Sequence, residues 1–250
     1  MATATFRIWR GDATQAAFKD YTTEVSEGMV VLDAVHRIQA EQAHDLACRW
    51  NCKAGKCGSC SAEINGKPKL MCMTRLSEVP LDAPVTVEPM RTFPLIKDLV
   101  TDVSWNFRVK KTIRKFAPRK ADAQDGTWRM AQADIDRVQE FRKCIECVLC
   151  QDVCHVLRDH QLHDRFIGPR FLLYSAALEM NPLDTDDRLG DLKAQQGVGY
   201  CNITKCCTKV CPEHIGITDN AIIPLKERVV DEFYDPLVKI LKVFRKKPQR

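Results

Sequence analysis

A chain of 250 residues that is 45% hydrophobic, 28% charged and 7% aromatic has the composition of one or two packed domains, which excludes a disordered tail protein. Its longest apolar runs, such as "FLLYSAAL" at Phe171 to Leu178, fall well short of the ~18 residues of a membrane span. The formal net charge of +5 is mild and gives no footprint for nucleic acid; part of it is the tail "KVFRKKPQR", Lys242 to Arg250, read as solvated rather than as a lipid or partner contact.

In chain order, "ATFRIW" (Ala4 to Trp9) and "AAFKDYTTEV" (Ala16 to Val25) alternate as paired strands around a turn at Gly11 and Asp12. "VVLDAVHRIQAEQ" then places Val31, Leu32, Val35 and Ile38 on one helical face. "SAEINGKPKLMC" carries Asn65-Gly66, a hairpin signal, and "PVTVEP" (Pro84 to Pro89) reads as a last strand closed by proline. These elements make a small mixed sheet with a helix across it.

From Arg91 the pattern changes. "FPLIKDLVTDVSWNFRVKKTIRKF" sets Leu95, Ile96, Leu99, Val100, Val103 and Phe107 at helical spacing opposite many cations. "APRKADAQDGTW" is an exposed connector. Helical patterns follow in "ADIDRVQEFRK", "GPRFLLYSAALEM" and "TDNAIIPLKERVVDEF", the last with Thr218 as N-cap.

The N-terminus "MATATFRIWRGD" has neither the apolar stretch of a secretion signal nor the composition of a transit peptide. Thirteen cysteines are therefore read as metal or cluster ligands rather than as a disulfide framework. In "CRWNCKAGKCGSC", Cys52, Cys57 and Cys60 have the C-x4-C-x2-C spacing of plant-type 2Fe-2S loops, and Cys72 across the hairpin supplies the fourth thiolate. Gly55 and Gly58 let that loop bend tightly and turn its N–H groups towards sulfur. Zinc is the competing reading, but the second pair of a zinc ribbon is absent.

"CIECVLCQDVC" is a complete C-x2-C-x2-C-x3-C run at Cys144, Cys147, Cys150 and Cys154. In two-cluster ferredoxins the fourth cysteine of such a run ligates the other cluster. Cys154 therefore leaves this group and Cys211 completes it, giving a 4Fe-4S set of Cys144, Cys147, Cys150 and Cys211. "CNITKCCTKVCP" has Thr204 where the template has its second cysteine. Cys154, Cys201 and Cys207 remain as three thiolates, the number for a 3Fe-4S cluster; Cys206, the alternative fourth ligand, lies next to Cys207 and off the template, and it and Cys48 are read as spare thiols.

This order of motifs, with "FIGPRFLL" (Phe166 to Leu173) and "DTDDRL" (Asp184 to Leu189), resembles the iron-sulfur subunit of succinate dehydrogenase and fumarate reductase of the bacterial type. The resemblance implies an α+β fold: a β-grasp 2Fe-2S ferredoxin domain over 1–92, a helical or connector segment over 93–130, and an α-helical domain with 4Fe-4S and 3Fe-4S clusters over 131–250. It implies a flavoprotein partner carrying FAD, a membrane anchor beside quinone, and a peripheral position on the cytoplasmic side of the cell membrane. It also implies electron relay as the task, with no substrate-level catalytic residue in this chain. Fumarate reduction is the same chemistry in the opposite direction; a zinc-stabilised interaction protein is the alternative of another class.

Two departures from the family pattern concern quinone. His155 stands where proline commonly follows the cysteine, and Asn202 stands where a histidine is common in quinone-reducing relatives. The tryptophans are elsewhere, at Trp9, Trp50, Trp105 and Trp128. His155, His160 and His163 fall in the same segment and are the candidates for a modified quinone or proton site.

Overall fold

The computed structural model describes residues 2–238; the basic tail from Lys242 lies outside them. Strands β1 (Ala2–Gly11) and β2 (Ala16–Val25) pair antiparallel over their whole length, from Ala2 opposite Val25 to Gly11 opposite Ala16. Alternation places Ala4, Phe6 and Ile8 of β1 inside the core. Helix α1 (Val31–Glu41) crosses the sheet and buries Val31, Leu32, Ala34, Val35 and Ile38, where each large aliphatic side chain contributes about 1.5–3 kcal/mol. The Asp33 carboxylate accepts a hydrogen bond from the Val30 N–H at 3.1 Å at the helix start.

Strands β3 (Ser61–Ile64) and β4 (Lys67–Leu70) form the expected hairpin, with Asn65 and Gly66 both at positive φ. Strand β5 (Val85–Glu88) runs parallel to β1 and closes the order β2-β1-β5-β3-β4. A mixed five-stranded sheet crossed by one helix is the β-grasp arrangement that the family resemblance implies.

The continuous helix expected over 93–116 does not form. Leu95–Lys97 (β6) and Val100–Thr101 (β7) make a small hairpin, and helix α2 begins only at Ser104 and ends at Thr112. The cause is Asp98, fully buried at φ 50. Its carboxylate accepts from the N–H of Gly11 at 2.7 Å, the N–H of Ala47 at 2.8 Å and Nε of Arg10 at 3.0 Å. Those charge-assisted bonds tie the turn to the sheet domain and outweigh helical periodicity. Ile96 and Phe107, expected on a buried face, are 50% and 60% exposed.

The second half is helical: α3 (Gln132–Gln139) runs into a 3-10 turn, then come the short α4 (Leu149–Asp152) and α5 (His155–Arg158), α6 (Gly168–Glu179), α7 (Leu189–Ala194), the short α8 (Cys206–Lys209) and α9 (Ile223–Phe233). Helix α6 is the central element, with Phe171, Leu172, Leu173 and Ala176 at most 3% exposed. Residues Ile217–Ile222 form a π-helical turn before α9. Thr218 lies inside that turn and caps nothing; its hydroxyl accepts from Thr208 at 3.1 Å and lies 3.3 Å from the Cys207 sulfur. The two halves have separate cores, yet Cys147 and Leu149 from the helical half pack in the core of the sheet domain.

Candidate metal centres

All thirteen cysteines are free thiols, and eleven of them belong to the three sets the spacing suggests. The first lies in the loop between α1 and β3. Lys53, Gly55 and Gly58 all have positive φ, which curls the chain around the sulfurs. The N–H groups of Ala54 and Lys56 each donate to Cys52 Sγ at 3.4 Å. Hydrogen bonds from Ser59, then from Cys52 and the Ser59 backbone, pull the Cys57 thiol down to about 6. Cys60 and Cys72 are brought together by the β3–β4 pairing: Cys72 N–H donates to Cys60 Sγ at 3.4 Å. Burial pushes the Cys60 thiol up to about 12.

The second and third sets are built on one backbone pattern used twice. Glu146 and Val148, two and four residues after Cys144, have φ of 58 and 57, and α4 starts at the next residue. Ile203 and Lys205, two and four residues after Cys201, have φ of 62 and 61, and α8 starts at the next residue. In this register Thr204 corresponds to Cys147, Cys207 to Cys150, and Cys211 to Cys154. Cys206 corresponds to Leu149, a helix-start position rather than a ligand position.

The fourth cysteine of each run is exchanged. Cys144, Cys147, Cys150 and Cys211 line one small cavity with Ile215 and Ile217. The Cys147 thiol is pushed up to about 12, first by burial and then by the neighbouring Cys144 and Cys211 charges. Cys154 sits instead by Cys206 and Cys207; its thiol is also pushed to about 12, chiefly by burial. Cys207 is raised to about 11 by burial, with Cys206 and Cys201 next to it. The structure thus adds Cys206 to the neighbourhood of the third set, where its sulfur lies 3.3 Å from the Thr204 hydroxyl. Cys48 is half-buried, with its thiol raised by burial.

These donor sets fit iron-sulfur clusters. Soft thiols with N–H···S contacts at Cys52, Cys60 and Cys211 are the kind of ligand such clusters take. A buried thiol raised to about 12 ionises when a metal supplies the counter-charge, so occupancy and thiolate formation are linked.

The three histidines do not form one group. His155 and His160 have ring centroids 6.4 Å apart, and the buried Nε2 of His155 has no hydrogen-bond partner in the chain. His163 packs edge-on against Trp105 at 4.8 Å and lines a different cleft with Arg91, Arg108 and Arg158.

Sequence reasoning missed the buried charges around the thiols. Arg170, 5% exposed, pairs with Glu146 at 2.8 Å inside the second cysteine run. Glu63 of β3 is fully buried and meets Arg158 at 3.1 Å and Arg91 at 3.4 Å, joining the halves. Asp152, between Cys150 and Cys154, is raised to about 7, mainly by burial, although it accepts from the Thr92 N–H at 3.1 Å. One signal was available: Arg170 is the lone charge in the apolar stretch "GPRFLLYSAAL".

Comparison with known proteins finds two family models along the chain. Residues 5–108 match a 2Fe-2S iron-sulfur cluster binding domain and residues 140–215 a 4Fe-4S dicluster domain. A fumarate reductase iron-sulfur subunit of Mycobacterium tuberculosis is 33% identical over 202 residues, covering 79% of this chain and 80% of that one. The mitochondrial succinate dehydrogenase [ubiquinone] iron-sulfur subunit 1 of Oryza sativa is 30% identical over 220 residues, 84% of this chain and 77% of its own length. A chain of the Mycobacterium smegmatis Sdh1 complex in the apo form is 61% identical and superposes with a TM-score of 0.90 over 94% of this chain and 98% of that chain.

Proposed function

As a member of the family of iron-sulfur subunits of fumarate reductase and succinate dehydrogenase, the chain serves electron transfer in such an oxidoreductase complex, and we propose that it links a FAD-containing flavoprotein subunit to a membrane anchor in a succinate:quinone oxidoreductase. When bound, its clusters supply one-electron redox centres spaced along the subunit. Cys52, Cys57, Cys60 and Cys72 hold the 2Fe-2S cluster; Cys144, Cys147, Cys150 and Cys211 the 4Fe-4S cluster; Cys154, Cys201 and Cys207 the 3Fe-4S cluster. The observation that carries this reading is the exchange of Cys154 and Cys211 between two runs of identical backbone register, with Thr204 at the one ligand position lacking sulfur.

The protein's own part is to hold sulfur, exclude water and fix charge. N–H groups of Ala54, Lys56, Cys72 and Ile215 point at ligand sulfurs and stabilise their negative charge. Arg170, paired with Glu146, keeps a fixed cation beside the second set. Among the described residues no helix is long and apolar enough to cross a membrane, in keeping with attachment through an anchor subunit.

On the quinone side, His155 and His160 are the part of the histidine reading that geometry supports, since His155 follows Cys154 and its Nε2 is unpartnered. Purification of the native chain tests the whole reading. A covalently flavinylated partner is expected to accompany it, with EPR signals of three distinct centres; a chain isolated without any flavoprotein would overturn it. Alanine at His155 and His160 is expected to slow succinate-to-quinone turnover while the EPR signals stay; unchanged turnover removes their role.

A further inference from the structure

Where the first and second cysteine sets meet, the two loops touch backbone to backbone. Gly58 lies between Cys57 and Cys60. A Cβ placed on it would stand 2.5 Å from Cys147 Cα and 2.9 Å from both Cys147 Cβ and Cys147 N. Ordinary contact begins near 3.4 Å, so any side chain here parts the loops by about 1 Å. Ser61, 6% exposed, spans the same seam: its hydroxyl lies 2.8 Å from the Cys147 carbonyl and 2.9 Å from the Gly58 carbonyl. One proton serves these two acceptors, so the hydroxyl is a shared clasp between the loops. At the rim, Lys56 pairs with Glu213, two residues beyond Cys211, at 3.1 Å. Cys147 completes the picture by packing in the core of the sheet domain.

We propose that Gly58 and Ser61 are positioning residues that set the electron-transfer distance between the first and second centres, the glycine by allowing backbone contact with Cys147 and the serine by clasping it. The proposal rests on the cluster assignment above. The step concerned moves one electron between the two centres; no bond forms or breaks, and the Ser61 proton stays on its oxygen. Tunnelling falls exponentially with distance, so the spacing of the two loops that would hold the centres is the quantity the protein must control.

A second glycine supplies the control. Gly28 lies in the sheet domain at φ +82, against +68 for Gly58, but a Cβ placed on it meets nothing within 4 Å. Gly28→Ala therefore carries the same left-handed strain without touching the seam or either thiolate loop. The experiment uses the purified holo-complex of Gly58→Ala, Ser61→Ala and Gly28→Ala. EPR of the reduced protein measures the magnetic interaction between the two centres, and freeze-quench sampling follows their electron equilibration. Gly58→Ala is expected to weaken the interaction and slow equilibration several-fold with both centres retained, and Ser61→Ala to do so to a smaller extent. Gly28→Ala is expected to leave the interaction at its wild-type strength. Wild-type interaction in Ser61→Ala and Gly58→Ala, or an equal loss in Gly28→Ala, would overturn the proposal. If Gly58→Ala does not assemble, Ser61→Ala, which adds no atom and no strain, decides alone. Absence of a flavoprotein would end the functional reading but leave this measurement in force, because it needs only two centres of this one chain.

Discussion

The outer part of the first cysteine set and the two sets of the helical half treat the same thiolate chemistry in opposite ways. Cys52 is exposed and Cys57 half-buried; local N–H and hydroxyl donors take up their charge, and the Cys57 thiol falls to about 6. Cys147, Cys150, Cys154 and Cys207 are 6–8% exposed, and burial raises every one of them. A loop can arrange donors around sulfur in advance, whereas a packed core relies on the incoming metal for the counter-charge. The comparison teaches that the outer thiols of the first set can hold their charge without metal, whereas the buried thiols of the helical half, like the buried Cys60 of the first set, depend on it.

Removing iron gives the largest expected effect. Anaerobic chelation is expected to abolish slow amide exchange in α6 and α9 while β1 and β2 keep theirs, as hydrogen-exchange mass spectrometry would show; equal loss in both halves would break the comparison. Next comes Arg188, fully buried and paired with Asp184 at 3.0 Å, with a further bond to the Lys115 carbonyl at 2.7 Å. Arg188→Ala strands a buried carboxylate and is expected to cost about 3–5 kcal/mol, read as a lower unfolding temperature of the helical half alone.

The third prediction separates adjacent thiols. Cys207→Ser is expected to eliminate the isotropic EPR signal of the oxidised 3Fe-4S centre, whereas Cys206→Ser, at the position corresponding to Leu149, is expected to keep it and to alter stability by no more than about 0.5 kcal/mol. The smallest effect is a pH profile. In iron-depleted protein, Cys57 is lowered from 9.0 to about 6, so its thiolate predominates at neutral pH and is lost as pH falls through about 6. Alkylation monitored by peptide mass is expected to label Cys57 at neutral pH and to decline below that midpoint. Cys147, raised to about 12, is expected to stay unlabelled throughout.

Much of this was legible because ligand spacing is a local property. C-x4-C-x2-C and C-x2-C-x2-C-x3-C place sulfurs within one turn of chain, and Asn65-Gly66 needs only its own backbone to form a hairpin. Where distant groups decide, the local pattern misled. The periodic run after Arg91 became a hairpin and a shorter helix because Asp98 is held by Arg10, Gly11 and Ala47. Thr218, a plausible cap by its neighbours, was drawn to Thr208 and Cys207. The three histidines were close in sequence, but Trp105 claimed His163.

The sequence by itself determined the number and kind of thiolate sets, the hairpins and the division into a sheet half and a helical half, since each depends on spacing along a short stretch of chain. Only the tertiary structure decided how Glu63, Arg158 and Asp152 share the seam between halves, and that Gly58 touches Cys147. Those are contacts between residues tens of positions apart, fixed by how two cores pack against each other, and packing at that range leaves no period in the sequence.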